Sequence, residues 1–305
     1  MRASPLERSI ILTLAYTHQF SYPLTLCEIY SRFIFPTSGR SIQKKLFAAA
    51  IVQLLSQQII VREKNYFVLN FGAAQEQARR REERLRFSNK KIADLQPLLA
   101  FLSVLPWVTA VGITGSVAMH NADRHDDTDI LMIVQPHSLW LLRPLIILFA
   151  WFHKKRRSWN SEESNSWCFN LWLETSRLKI PARQHSLYTA YEVAQVNWMI
   201  DKWCIERKFL QSNAWIHKYI PIFFRKKYNV LATCESRALL TRLLLLLHAV
   251  WVIPLNSVLY LLQRWYMLPH MTREKVQLSS AFFHPRNTRG IITDRWKQTL
   301  KNLTH

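Results

Sequence analysis

The chain has 305 residues, of which 49% are hydrophobic, a size and composition that predict two or three domains with a sizeable buried core. Lysine and arginine total 41 against 20 acidic residues, and the formal charge of +21 predicts attraction to nucleic acid, anionic lipid or nucleotide phosphates, unless it serves only solubility. The four cysteines include no CxxC pair and the first residues do not resemble a signal peptide, so we expect no zinc site, no disulfide framework and a reducing cytoplasm.

Residues 1–72 have the pattern of a winged-helix domain. Three segments carry apolar residues at helical spacing, and two short apolar runs then flank a polar turn. The predicted helices cover 6–20, 24–33 and 41–57, and the predicted strands cover 59–61 and 66–69. Winged helices often place their third helix in the major groove of DNA. The exposed polar residues that this helix would present are Arg40, Gln43, Lys44, Lys45 and Gln53. The alternative is a winged helix that binds protein and contacts no DNA.

Two clusters of basic residues lie on either side of residues 108–135. The first belongs to one long helix predicted over 73–104 and consists of Arg79, Arg80, Arg81, Arg84, Arg86, Lys90 and Lys91. The second ends a helix predicted over 139–155 and consists of Lys154, Lys155, Arg156 and Arg157. If both clusters flank one cleft, they would bind the phosphates of a nucleic acid. The alternative for the long helix is a solvated charged face.

A strand, a glycine–serine turn and a pair of aspartates follow one another between residues 108 and 134. The predicted strand from 108 opens into Gly115 and Ser116, and ten residues later Asp127 and Asp129 begin a second, apolar strand. Residues two apart in a strand face the same side, so the two carboxylates should project together. Such hard oxygen ligands suit Mg²⁺, and a glycine followed by a serine suits close contact with phosphate. The alternative is a surface acidic loop ahead of a core strand.

This pattern resembles the signature of the DNA polymerase beta-like nucleotidyltransferase superfamily: a hydrophobic stretch, Gly-Ser, about ten residues, then Asp-x-Asp. The resemblance implies that Gly115 and Ser116 bind a nucleoside triphosphate and that Asp127 and Asp129 ligand the metal ions. Thr128 departs from the aliphatic residue usual at its position. With the winged helix and the segment 187–192, the chain resembles, over nearly its whole length, an uncharacterised bacterial group of nucleotidyltransferase-domain proteins.

The superfamily usually has a third carboxylate on a neighbouring strand, which acts as a base or completes a second metal site. The candidate is Glu174, at the end of a strand predicted over 168–174. Alternation along that strand puts Glu174 on the same face as Asn170 and Trp172. The alternative is that Glu174 only caps the strand end, which would favour a protein that binds nucleotides without turnover.

The segment 185–305 is predicted to be helical almost to its end, with helices over 186–199, 205–216 and 237–265. Within it, residues 243–262 carry no formal charge and are long enough to span a bilayer. Pro254 would interrupt a helix there. We therefore expect a pair of buried core helices, with attachment to a membrane surface or a spanning segment as the alternative.

The expected architecture is α+β: a winged-helix domain (1–72), a small mixed-sheet nucleotidyltransferase core with helices on one face (73–184), and a helical C-terminal domain (185–305). The expected function is Mg²⁺-dependent transfer of a nucleoside monophosphate from a nucleoside triphosphate such as ATP. The acceptor stays open among RNA, protein and small molecules, as does the oligomeric state. The alternative function is a DNA-binding regulator whose nucleotidyltransferase fold is degenerate and senses nucleotides.

Overall fold

The protein has an α+β fold in which a six-stranded mixed sheet carries a hydrophobic core on each face. The computed structural model describes residues 4–34, 42–156, 165–231, 239–271, 275–283 and 288–303. Arg40 and Arg157, named above among the basic residues, lie outside the described residues.

Three helices and a small antiparallel sheet make up residues 4–69. The elements are α1 (Pro5–His18), β1 (Leu24–Thr25), α2 (Leu26–Ser31), α3 (Lys44–Ser56), β2 (Ile60–Glu63) and β3 (Tyr66–Leu69), with strand order β1-β3-β2. A capping box formed by Ser4 and Glu7 begins α1. The second helix begins later than predicted, because Leu24 pairs with Phe67 of β3 and is drawn into the sheet. The predicted hairpin is present as β2 and β3.

The charged segment after this unit forms two helices, α4 (Ala74–Ala93) and α5 (Gln96–Val104). The prediction of one helix over 73–104 is therefore wrong at its middle. Pro97 lies in the first turn of α5. Proline lacks the N–H that a continuous helix needs and disfavours helical geometry in the residue before it, so it starts a new helix.

The main sheet has the strand order β7-β4-β5-β6-β9-β8. Its strands are β4 (Val108–Ile113), β5 (Thr128–Val134), β6 (Trp167–Glu174), β7 (Asn197–Asp201), β8 (Lys275–Gln277) and β9 (Ser280–Phe282). Only the β5–β6 pair is parallel among these neighbours. A parallel pair needs a crossover, which α7 (Leu139–Phe152) supplies. The short α6 (Gly115–Ala118) connects β4 to β5.

Both faces of this sheet are buried: helices of the segment 73–184 cover one face, and helices of the segment 185–305 cover the other. Along β5, Leu131 and Ile133 point into a core shared with α8 (Leu187–Ala194) and α9 (Ile205–Ser212). The alternate residues Ile130 and Met132 point into a core shared with α5 and α7. The apolar run of β5 has no polar alternation, which is the pattern of a strand covered on both sides.

Residues 185–305 contribute three strands to the main sheet as well as helices. The helices beyond α9 are α10 (Pro221–Val230), α11 (Leu239–Met267) and α12 (Thr288–Asn302). The prediction of helix over 186–199 is wrong at its end, where β7 pairs with β4 and Trp198 lies opposite Gly112. The β8–β9 hairpin extends the opposite edge of the sheet. Strand pairing with a distant segment therefore overrides local helical propensity here.

The segment expected to form two buried helices is one continuous helix, α11, with Pro254 inside it. Among its side chains described from residue 251 onward, Asn256 and Met267 are buried, but Trp251 is 79% exposed and Trp265 is 76% exposed. The prediction of buried core helices is therefore wrong for this part of α11. Of the helices within the described residues, none is long and apolar enough to cross a membrane.

One cysteine also departs from expectation. Cys204 is disulfide-bonded, whereas Cys27 and Cys168 are not in disulfides. The absence of a CxxC pair was a poor guide, because a disulfide requires two cysteines that are close in space and not in sequence.

Candidate functional site

A cavity of about 480 Å³ lies where α1, the start of β5, α8 and α12 meet. Four of the five predicted site residues line it, namely Gly115, Ser116, Asp127 and Asp129. The turn after β4 and the start of β5 are adjacent because these two strands pair, with Ile113 opposite Ile130. Local sequence order and one antiparallel pairing thus bring the predicted turn and both aspartates to one place.

Gly115 packs directly against the Asp129 carboxylate. Its φ of +64° is in the left-handed region, and a Cβ at this position would lie 2.7 Å from Oδ2 of Asp129. The neighbouring Thr114 N–H donates a hydrogen bond of 2.9 Å to the backbone oxygen of Asp129. A glycine is therefore required here both by backbone conformation and by the carboxylate beside it, a requirement not visible in the sequence.

Ser116 contacts a third aspartate of the loop between α6 and β5. Its hydroxyl donates to Oδ2 of Asp126 at 3.0 Å, and the Asp123 N–H donates to the same oxygen at 3.0 Å. Asp126 also lines the cavity. Asp127 accepts a 2.9 Å hydrogen bond from the Ser166 N–H. The acidic loop therefore has a defined conformation, in which the Ser116 hydroxyl is on the cavity wall and bonded to Asp126.

Glu174 is not part of this site, and its prediction as the third carboxylate is wrong. The parallel register of β5 and β6 places Cys168 opposite Asp129 and Glu174 opposite Val134. Five residues of strand separate the two levels, which is about 16 Å. Glu174 is buried, accepts a 2.8 Å hydrogen bond from the His137 N–H, and has a pKa raised by burial. Glu174 therefore caps the end of β6, which was the alternative interpretation of this residue.

A neutral side chain occupies the place on β6 nearest the aspartates. The buried Asn170 donates from Nδ2 to Oδ1 of Asp129, and its own Oδ1 accepts from Cys168 Sγ at 3.2 Å. The alternation predicted for Asn170, Trp172 and Glu174 is broken by the register shift between β5 and β6, so Trp172 packs into the core on the face away from Asp129 while Asn170 reaches the site. An amide here adds no negative charge beside Asp129.

A carboxylate that the sequence did not single out faces the cavity from α8. Glu192 lines the cavity and accepts a 2.9 Å hydrogen bond from Gln195 Nε2. Burial, and then the nearby charge of Asp129, raise the pKa of Glu192 to about 7. Tyr188 lies one turn earlier on α8, lines the same cavity, and has a pKa raised by burial. Glu192 is the one acidic residue of α8 and lies one turn after Tyr188, and this spacing was the available signal.

Aromatic side chains from the first helical unit form another wall of the cavity. The lining includes Tyr16, Phe20 and Tyr22. Tyr16 stacks on Tyr191 of α8, with ring centroids 4.6 Å apart and planes 12° from parallel. These rings offer apolar and aromatic surface next to the acidic wall, a combination that suits a ligand with a planar ring and a charged end.

Basic side chains of α4 bind the acidic loop between α6 and β5. The buried Arg81 donates to the backbone oxygens of Met119 and His120 at 3.2 and 3.0 Å and forms a 3.0 Å ion pair with Glu28. Two further α4 cations continue this contact. Arg84 binds both carboxylate oxygens of Asp123 at 2.9 Å, and Lys91 Nζ donates to the backbone oxygen of Asp126 at 2.7 Å. These residues fix the loop that carries the aspartates.

The other two arginines at the start of the α4 cluster pair within their own helix. Arg79 contacts Glu76 and Glu83, each at 2.8 Å, and Arg80 contacts Glu76 at 2.7 Å. The cluster predicted as a surface for nucleic-acid phosphates is thus largely engaged with groups of the same chain.

The donor set of the cavity fits one divalent cation. Asp127 and Asp129 supply hard oxygen ligands of the kind that Mg²⁺ prefers, while Asn170 replaces a further carboxylate with an amide. Within the described ranges, no group of three or more His, Cys, Asp or Glu side chains is arranged to hold a metal ion. Protein sites for Mg²⁺ often use only one or two carboxylates and complete the shell with substrate phosphates and water.

No protein-family model matches the chain, and neither a curated protein nor a solved structure matches it.

Proposed function

We propose that the protein is a Mg²⁺-dependent nucleotidyltransferase that moves a nucleoside monophosphate from a nucleoside triphosphate to an acceptor hydroxyl. The observation that carries the proposal is that Gly115, Ser116, Asp127 and Asp129 line one cavity. The chain order β4, α6, β5, α7 and β6 supports it, since the glycine–serine turn follows the first strand and the aspartates begin the second. The order of α1, α2, α3 and the β2–β3 hairpin supports a winged-helix domain ahead of this core.

In this proposal, different walls of the cavity bind different parts of the nucleoside triphosphate. Asp127 and Asp129 would hold the cation, which, when bound, neutralises the triphosphate and the pyrophosphate leaving group. Ser116 and the backbone near Gly115 would contact the phosphates, and the aromatic wall at Tyr16 and Phe20 would take the base. The polar wall of the cavity would thus bind the triphosphate and the aromatic wall would bind the base.

Glu192 is the proposed proton acceptor. The acceptor hydroxyl oxygen bonds to the α-phosphorus, the bond from that phosphorus to the bridging oxygen breaks, and pyrophosphate leaves with the bond's electron pair. The hydroxyl proton passes to the Glu192 carboxylate, which faces the same cavity as Asp129 from the opposite element. A base on α8 would replace the one expected on β6, where Asn170 is found.

The test is incubation of the full-length protein with each of four α-labelled nucleoside triphosphates, Mg²⁺, and either total RNA or total protein. We expect label transfer to one of these acceptors and its loss in Asp129→Asn. The control is Asp294→Asn, at an exposed position of α12. Full transfer by Asp129→Asn, or equal loss in both variants, would refute the assignment.

The second candidate is a regulator that binds nucleotides without turnover, and Asn170 favours it because the neighbouring strand lacks a carboxylate beside Asp129. In that case a triphosphate should bind with no transfer to any acceptor. Lys44 and Lys45 of α3 are exposed and could contact DNA, but the exposed Leu46 and Val52 on the same helix favour a protein partner. Nucleotide-dependent binding of DNA fragments by the purified protein, without label transfer, would select this candidate.

A further inference from the structure

Helices α7 and α11 pack against each other. Near the start of α7, the Trp140 N–H donates to Oδ1 of Asn256 at 2.8 Å. One turn later Arg143 donates to Oε1 of Gln263 at 2.9 Å, and Gln263 Nε2 returns a hydrogen bond to the Trp140 oxygen at 2.8 Å. These buried and half-buried polar contacts fix the pair, so their outward sides form one joint surface.

The outward sides of the two helices are apolar and aromatic. More than half of the large hydrophobic side chains that are exposed in the described residues belong to α7, α11 and the turn after α11. We call the outward side of the helix pair the α7–α11 face, and its members are Leu145, Leu148, Trp151, Phe152, Trp251, Leu255, Val258, Leu262 and Trp265. Their three- and four-residue spacing shows that each helix presents a continuous stripe and not scattered side chains.

The formal charges carried by these two helices are of one sign. The sequence contains no Asp or Glu over 136–156 or over 239–271. It does contain the basic residues Lys154, Lys155 and Arg156 directly after α7, and Arg264 in the last turn of α11. Tryptophan at the edge of an apolar stripe with lysine and arginine beside it is the composition of helices that lie in the interface of a bilayer.

We propose that the α7–α11 face docks the protein on the surface of anionic phospholipid membranes. The apolar stripe would enter the boundary between headgroups and acyl chains, and the cations would contact lipid phosphates. A second copy of this chain is a poorer occupant, because it would bring two surfaces without acidic residues into contact and leave their like charges opposed. The proposal concerns a surface of α7 and α11 and does not depend on nucleotidyl transfer.

Co-sedimentation of the full-length protein with vesicles tests the proposal. We expect the protein to pellet with vesicles of mixed phosphatidylcholine and phosphatidylglycerol, more weakly with phosphatidylcholine alone, and less at high salt because surface charges are screened. The double variant Trp151→Ser, Trp265→Ser should lower the vesicle-bound to free ratio roughly tenfold or more. The variant Lys154→Glu, Lys155→Glu should lower it for the anionic vesicles alone.

The matched control is Leu46→Ser, Val52→Ser, which removes two exposed apolar side chains of α3. It should leave vesicle binding unchanged, and circular dichroism melting should show all variants folded. Absence of the protein from both vesicle pellets would overturn the proposal, as would equal loss in the control. So would self-association in sedimentation velocity that the tryptophan substitutions abolish, which would make a second copy the occupant.

Discussion

The two basic clusters of this chain look alike in sequence but have opposite surroundings. On α4, Arg79 and Arg80 pair with glutamates of the same helix, and Arg81 is buried against the acidic loop between α6 and β5. After α7, Lys154 and Lys155 adjoin exposed aromatic residues and a segment with no acidic residue. Most cations of the first cluster are bound to groups of the same chain, whereas in the second cluster Lys154 is exposed and Lys155 is half-buried, with its Nζ donating to the Asn165 backbone oxygen at 3.3 Å. A count of cations therefore predicts attraction to polyanions in general, but the neighbouring acidic residues decide which cations remain available.

The strongest test of this difference is the substitution Arg81→Ala. Arg81 is 7% exposed, is paired with Glu28 and bonds two backbone oxygens of the site loop. Breaking a buried ion pair from one side leaves the partner charge uncompensated, so the free energy of unfolding should fall by about 3 kcal/mol. Urea unfolding followed by circular dichroism measures it. The control is the exposed Arg86→Ala, and an equal small effect of both variants would contradict a structural role for the α4 cluster.

The burial of Glu192 at the cavity predicts that the stability of the protein depends on pH. The pKa of Glu192 is raised from 4.5 to about 7. The folded state therefore retains a proton that the unfolded state releases between these values, and stability should fall as pH rises through this window. The groups that face Glu192 are Asp129, Tyr16 and Tyr188.

The measurement is the urea midpoint of the metal-free protein at about pH 5 and about pH 7. The variant Glu192→Gln should show a smaller decrease than the unchanged protein, while Glu63→Gln on β2 should not differ from it. If Glu192→Gln retains the whole pH dependence, the burial of an ionisable Glu192 is not its cause.

The smallest expected effect is on the salt dependence of RNA binding, which compares the two basic clusters directly. Lys154→Ala, Lys155→Ala should reduce the log–log salt slope of RNA binding by about 1 to 2, since each neutralised phosphate contact contributes about 0.9. Arg79→Ala, Arg80→Ala should leave the slope nearly unchanged, because Glu76 and Glu83 already compensate these arginines. Filter binding over a salt series measures both. A larger decrease in the α4 variant would reverse the comparison.

The parts of the fold that depend on nearby residues could be predicted from the sequence. The first and third helices and the β2–β3 hairpin lie close to their predicted bounds, since capping residues, apolar spacing and a polar turn set them locally. The turn at Gly115 and the aspartates at 127 and 129 could be placed together because strand alternation and one short connection are enough.

Contacts between distant segments could not be predicted in the same way. Alternation predicted Glu174 beside the aspartates, but a register shift in β6 breaks that alternation, and the pairing with β5 places Glu174 about 16 Å from Asp129 and brings Asn170 there instead. The carboxylate that does face Asp129, Glu192, comes from a helix 63 residues further along the chain. No local pattern contains the information on which segments pack across a cavity.

By itself, the sequence determined the local elements, the glycine–serine turn and the paired aspartates, since these depend on bonds and alternation within a few residues. Only the tertiary structure decided that α4 cations hold the site loop, that Asn170 and Glu192 reach the site, and that the helix expected in the core exposes Trp251 and Trp265. The physical reason is that apolar length predicts burial of a helix only when enough other apolar surface exists to cover it. That surface is supplied by segments distant in sequence, and on the outward side of α11 the described residues supply none.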